Sequence, residues 1–199
     1  MIIWINGAFG SGKTQAAFEL HRRLDNSFVY DPEHIGFFFR RNEPVEMLKK
    51  NFQDEPLWRI FNYELIKHIA SEYHGYIIIP MTIYNKNYFE EIIGTLRDDH
   101  IKVDHYILGA SRETILKRLS KRLDKKDSWA SKQIDNCIHG FNTLIDKSFY
   151  IDTNKLSIYD VVEEIAVTSG LTLKKDRDIN IIRKIKRIIV QIKHIRLFV

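Results

Sequence analysis

Short apolar runs alternate with amphipathic stretches along this chain. The runs, each bounded by turn-forming residues, fall at Ile2–Asn6, Phe28–Tyr30, Tyr76–Pro80, His105–Leu108 and Phe149–Ile151. Between them apolar residues recur at helical spacing: Ala16, Ala17, Leu20 and Leu24; Leu57, Ile60, Phe61, Leu65 and Ile69; Ile115, Leu116, Leu119 and Leu123; Ile134, Ile138, Phe141 and Ile145. Strand and helix periods that take turns in this way predict an α/β fold, a mainly parallel five-stranded sheet sandwiched between two helical layers. Ser111, Ser128 and Ser157 are placed to cap helix N-termini, and Gly170 to end the helix before it.

With 199 residues and 44% hydrophobic content, the chain is of a size for one principal domain. A composition shift near Gly170 divides it into residues 1–170 and a tail, 171–199. The tail holds nine Lys and Arg against Asp176 and Asp178, a local net of +7 in a chain whose total is +5. Residues 1–170 therefore carry −2, and any anionic partner should be sought at the tail. From Ile179 onward, apolar residues 181, 182, 185, 188, 189, 192 and 195 fall within roughly 140° of a helical wheel. Arg183, Lys184, Lys186, Arg187 and Lys193 lie outside that arc. The expectation is a C-terminal amphipathic helix lying on an anionic membrane surface, since charges interrupt every run long enough to span. Packing of the stripe on the domain is the alternative, and no nucleic-acid partner is expected. The first residues read as a strand and not as a leader, and Cys137 is the only cysteine. Both suit a cytoplasmic protein, peripherally associated with the inner face of the membrane.

Residues 7–14 read Gly-Ala-Phe-Gly-Ser-Gly-Lys-Thr, the G-x-x-x-x-G-K-[ST] pattern placed between first strand and first helix, where a P-loop belongs. Glycines at 7, 10 and 12 let the backbone of Gly7, Ala8, Phe9, Gly10, Ser11 and Gly12 curl so that N–H groups face inward, beside the positive end of the following helix. The concavity suits the phosphates of ATP. Lys13 can reach the β- and γ-phosphates, and the hydroxyl of Thr14 can take a position on Mg²⁺. A guanine-reading N-K-x-D is absent, which argues against a GTPase. Asp31-Pro32-Glu33 follows the second strand, with carboxylates directed from the carboxyl edge of the sheet toward the P-loop. Asp31 is a candidate general base or magnesium contact, with Glu33 assisting, and a plain Asp-Pro turn is the alternative. Arg118 and Arg122, one turn apart on a basic helix, could close over a triphosphate or simply form a solvated face. The third strand ends in Ile-Pro-Met-Thr, without the aspartate that commonly supports magnesium.

The strings W-I-N-G-A-F-G-S-G-K-T, V-Y-D-P-E, P-L-W-R, I-I-I-P-M-T-I and N-K-L-S-I, followed by the basic tail, resemble those of the bacterial tunicamycin resistance proteins from residue 1 onward. More distantly the chain is similar to small-molecule kinases such as shikimate kinase and chloramphenicol phosphotransferase, in which a carboxylate after the second strand sits at the acceptor. Asp31 occupies that place. The resemblance implies a P-loop kinase-like fold, ATP binding, resistance to tunicamycin, and membrane association through the C-terminal helix. It leaves open whether the drug is phosphorylated or merely held, and a kinase for another small metabolite is a third reading. Tunicamycin is a uridine-containing, lipidated sugar nucleoside. In such kinases the acceptor segment lies between the second and third strands, which directs attention to Arg40, Gln53, Trp58 and Arg59 beside Asp31 and Glu33. Trp58 could equally be a core aromatic. Asn154, past the last strand, sits where adenine often rests in these kinases, or else is a turn residue.

Overall fold

The computed structural model describes residues 1–120, 129–176, 178, 182, 183, 185, 186 and 188–190. The expectations at Arg122, Leu123, Ser128 and tail positions 181, 184, 187, 192, 193 and 195 lie outside the described residues.

Five strands form one sheet: β1 (Ile2–Gly7), β2 (Ser27–Val29), β3 (Tyr76–Pro80), β4 (Val103–Gly109) and β5 (Phe149–Asp152). Their order is β2-β3-β1-β4-β5, and every pairing is parallel. Both faces of β1 are covered, so all six of its residues are buried, as a central strand of a parallel sheet requires. Successive side chains point to opposite faces. Ile2 and Trp4 enter a core with helix α3 (Pro56–Glu72), whereas Ile3 and Ile5 meet Ala16, Ala17 and Leu20 of α1 (Lys13–Arg23) and Val162 and Ile165 of α9 (Ile158–Ser169). The three-residue β2 and four-residue β5 form the sheet edges, short enough to offer little to another chain. Helix α9 starts in a capping box between Ser157 and Asp160 and stops at Gly170 with φ 66°.

Among the described residues the first face also carries α2 (Glu33–Asn42), α4 (Lys86–Phe89), α5 (Thr95–Asp98), α6 (Arg112–Ser120) and α8 (Ile134–Asn142), with the short α7 (Trp129–Lys132) preceding α8. A π-helical turn over Glu90–Gly94 joins α4 to α5. Cys137 on α8 is fully buried, and burial pushes its thiol up to about 12 despite the Lys13 ammonium nearby.

Helix α3 turns outward four of the five positions in the stripe that its periodicity predicts, while the fifth, Ile69, packs against the core. Leu57, Ile60, Phe61 and Leu65 are 36–53% exposed, while Trp58, Arg59, Asn62 and Ile66 face inward. The inward polar groups all have partners. Trp58 donates from Nε1 to the Pro32 carbonyl (3.0 Å), and the Asn62 side chain accepts from the Tyr30 hydroxyl (2.7 Å) while donating to the Trp58 carbonyl (2.7 Å). These bonds satisfy groups whose burial would otherwise cost about 1–3 kcal/mol each, and they decide which face turns in.

Under the sheet's carboxyl edge, Asn6 Oδ1 accepts from the backbone N–H of Gly7 (2.8 Å) and of Ile83 (3.0 Å). Its Nδ2 must then be the group that faces the Ile83 carbonyl (2.6 Å) and His105 Nε2 (3.1 Å). His105 accepts there, so its proton resides on Nδ1 and is donated to Ser148 Oγ (2.6 Å), which donates onward to the Leu144 carbonyl (2.6 Å). This assignment follows from the network. Burial, with a smaller push from Arg97, lowers His105 from 6.5 to about 3. Below pH 6.5 the unfolded chain binds a proton that the folded one refuses, so stability is full above that pH and falls toward pH 3. We expect about 1 kcal/mol of lost stability per pH unit from this group. Urea unfolding of wild type and His105→Gln at pH 7 and pH 5 should show a smaller loss on acidification in the variant; equal losses would contradict the assignment.

Candidate nucleotide and acceptor site

Because all five strands run parallel, their carboxyl ends share one edge. That edge gathers the P-loop after β1, Asp31 after β2, Met81 and Thr82 after β3, Ser111 after β4 and Thr153 and Asn154 after β5, the usual ligand crevice of open α/β sheets.

Gly10 and Gly12 adopt φ 85° and 102°, a left-handed backbone that glycine enters without strain. A Cβ on Gly10 would press against Leu119 at 3.1 Å, and one on Gly7 would strike Ser11 Oγ at 2.4 Å. Ser11 Nα closes the loop by donating to the Ala8 carbonyl at 3.0 Å. Helix α1 begins directly after Gly12, and its N-cap position has no side-chain hydrogen bond. Among the described residues the buried Ser11 hydroxyl has no hydrogen-bond partner. A tight glycine cradle, a helix N-terminus and an orphaned hydroxyl together fit an anionic phosphate chain. Lys13 is buried at the loop, its ammonium 4.9 Å from the centroid of the Phe9 ring, and Thr14 follows on the first turn. Among the described residues no group of three or more His, Cys, Asp or Glu forms a metal cage. The donors at hand, a threonine hydroxyl and one carboxylate, suit a magnesium ion held largely by phosphate oxygens and water.

Arg118 on α6 is anchored to the loop. Its Nη1 donates to the Ser11 carbonyl (3.3 Å) and to Thr153 Oγ1 (3.0 Å), and its Nη2 to the Thr153 carbonyl (2.5 Å). The structure thus places this arginine as a brace between P-loop and β5. Asn154 braces the neighbouring ends: its Oδ1 accepts from Ser111 N–H (2.9 Å), and its Nδ2 donates to Asp152 (2.7 Å).

On the acceptor side, Asp31 Oδ1 accepts from the Glu33 N–H (3.0 Å), which turns the chain into α2. Trp58 lies beneath this turn, fully buried, and contributes to the crevice by holding Pro32. Arg59 is also inward. It donates to Glu91 (2.5 Å) and to the Gln53 carbonyl (2.6 Å), and its guanidinium lies 4.2 Å from the Tyr88 ring centroid. Gln53 is buried and donates from Nε2 to the Thr82 carbonyl (2.6 Å). Arg40 donates to the Lys50 carbonyl (3.2 Å), and its Nε is buried without a partner. The crevice also uses residues that sequence reasoning passed over: Asn6, Thr82 and Thr153, with His105 supporting Asn6 from within the sheet. A lone asparagine at the end of an otherwise apolar central strand was the available signal for the first.

Residues 2–144 match the family model described as AAA domain. The tunicamycin resistance protein of Deinococcus radiodurans is similar, with 31% identity and a TM-score of 0.75, over 88% of this chain and 98% of that one. A sugar kinase from Janibacter (18% identity, TM-score 0.62, 86% and 95% of the two chains) and a gluconokinase from Sinorhizobium meliloti (12%, 0.59, 84% and 90%) share the fold. Among curated proteins none matches the sequence. The glycine cradle, the five-stranded order and these likenesses agree: the chain belongs to the AAA-domain family of P-loop proteins, in the group represented by the tunicamycin resistance protein of D. radiodurans.

Proposed function

We propose that this protein is an ATP-dependent phosphotransferase whose acceptor is a hydroxyl of tunicamycin or a similar nucleoside. One observation carries the reading: a P-loop of correct geometry and a carboxylate fixed on a rigid turn share the same sheet edge. The D. radiodurans relative supports the drug as acceptor. ATP with magnesium, implied by the family, supplies the phosphoryl group and screens its charge. Lys13 adds a positive charge at the loop, and the N–H groups of residues 8–13 orient the phosphates. Arg118 keeps Ser11 in place while its own charge lies beside the loop. Asp31 takes the proton of the acceptor hydroxyl as its oxygen bonds to the γ-phosphorus and the bond from that phosphorus to ADP breaks, ADP being the leaving group, with Glu33 next to Asp31 on the turn. Arg40, on α2 after the Asp31 turn, is a further candidate for the acceptor side.

Mass spectrometry of tunicamycin after incubation with the protein, MgATP and no other enzyme tests this directly. The drug should gain one phosphate, Lys13→Ala should abolish both the gain and nucleotide binding, and Asp31→Asn should keep MgATP binding while slowing the reaction about 100-fold or more. A fully active Asp31→Asn enzyme would remove that residue from the chemistry. Unmodified drug bound in an ATP-dependent complex would identify a sequestering protein instead.

The tail directs the protein to an anionic membrane surface. Ile182, Ile185, Ile188 and Ile189 are 41–53% exposed. The tail's start is tied to the body where Asp176 and Asp178 meet Arg22, and where Arg183 lies over Tyr159 at 4.5 Å. No helix among the described residues is long and apolar enough to cross a membrane, so the stripe would lie in the interface. In vesicle flotation, phosphatidylglycerol vesicles should carry the protein and neutral ones should not. Ile185→Glu with Ile189→Glu should weaken that binding about tenfold or more; flotation equal to wild type would place the contact elsewhere.

A further inference from the structure

The two halves of the crevice are joined by an unbroken run of buried hydrogen bonds. Arg59 Nη1 donates to the Gln53 carbonyl (2.6 Å), Gln53 Nε2 donates to the Thr82 carbonyl (2.6 Å), and Thr82 Oγ1 donates to the Gly7 carbonyl (2.7 Å). Gly7 is held from its other polar group as well, since its N–H donates to Asn6. The two peptide groups that flank the Gly7 Cα are therefore both held, one through its N–H and the next through its carbonyl. In a planar trans peptide the carbonyl and the following N–H point in opposite directions. Holding the Gly7 carbonyl toward Thr82 thus sets the direction of the Ala8 N–H.

At its other end the run reaches α3, where Trp58, adjacent to Arg59, grips the Pro32 carbonyl under Asp31. Arg59 is itself fixed by Glu91 in the π-helical turn and by the Tyr88 ring. Tyr88 in turn donates to Asp54 (2.9 Å), next to Gln53. A π-helical turn inserted in a helix is often retained for such local aiming of side chains.

We propose that Gln53 and Thr82 are positioning residues which couple the acceptor side of the crevice to the P-loop, so that nucleotide affinity depends on the acceptor segment. Thr82 stands just past β3, near where many P-loop proteins carry a magnesium-supporting aspartate, and here the position serves geometry through a neutral hydroxyl. The coupling rests on the proposed phosphotransferase for its biological meaning, but the relay is measurable with nucleotide alone. Any ligand that shifts the 51–54 segment would alter MgATP affinity by the same factor as MgATP alters that ligand's affinity.

Titration of MgATP into the full-length protein by calorimetry tests the relay in wild type, Gln53→Leu, Thr82→Val and the double variant, with thermal unfolding read on the same samples. Each single variant should bind MgATP about fivefold or more weakly, although the hydrogen bonds it loses lie between protein groups. The double variant should be no weaker than the worse single, because both break one chain. Thr82→Ser, which restores the hydroxyl, should recover wild-type affinity. Losses that simply add, or wild-type MgATP affinity in Gln53→Leu, would overturn the relay; so would a drop in melting temperature with affinity unchanged. Failure of tunicamycin to acquire phosphate would sink the phosphotransferase reading and leave this test intact.

Discussion

The side chain of Asn6 is the constraint on which the crevice depends. A single amide, wholly buried between strands, satisfies two backbone donors, one backbone carbonyl and one imidazole nitrogen. It has no spare capacity, so its orientation is unique and so is that of everything it binds. The P-loop starts at a fixed angle because Gly7 hangs from Asn6, and the loop after β3 follows because Ile83 does. His105 transmits the same constraint to the segment between α8 and β5. In a low-dielectric core such a network is stable only when every member is paired, which accounts for a histidine kept neutral in the middle of a sheet.

The positions of the strands, the P-loop and most helix faces were legible from the sequence because they arise from local rules, whereas the order β2-β3-β1-β4-β5 was not. The run at Tyr76–Pro80 coincides with β3, and Ala16, Ala17, Leu20 and Leu24 are buried as their spacing requires. Ser157 and Gly170 bound α9 by cap chemistry that is visible in the residues themselves. Helix α3 was not legible in this way. Its apolar stripe is more regular than its inward face, but Trp58, Arg59 and Asn62 each complete a hydrogen bond with residues up to 32 positions away. Periodicity measures average apolarity and is blind to specific long-range partners, which here outweigh it.

The same limit governs the site. Gly7, Gly10, Gly12, Lys13 and Thr14 form a contiguous motif, and the structure shows their cradle. Arg59 and Gln53 were placed on the acceptor side by position along the chain. Their actual partners, Glu91 and Thr82, sit after the third strand. No spacing rule joins those segments, because the pairing is created by the fold. Arg118, read from the sequence as able to close over a triphosphate or to form a solvated face, makes contacts that no spacing rule foretells, donating to Ser11 and to Thr153.

The lone cysteine has a chemical consequence for a chain in this family. Burial pushes the Cys137 thiol up to about 12, so at neutral pH it stays protonated, and the thiolate is the form that reacts. Oxidants and alkylating agents have neither a nucleophile to meet nor a path to it. The sequence has no second cysteine to form a bridge with it. No disulfide within the chain holds the fold together, and the thiol it does carry is kept in its unreactive, protonated form by the packing around α8.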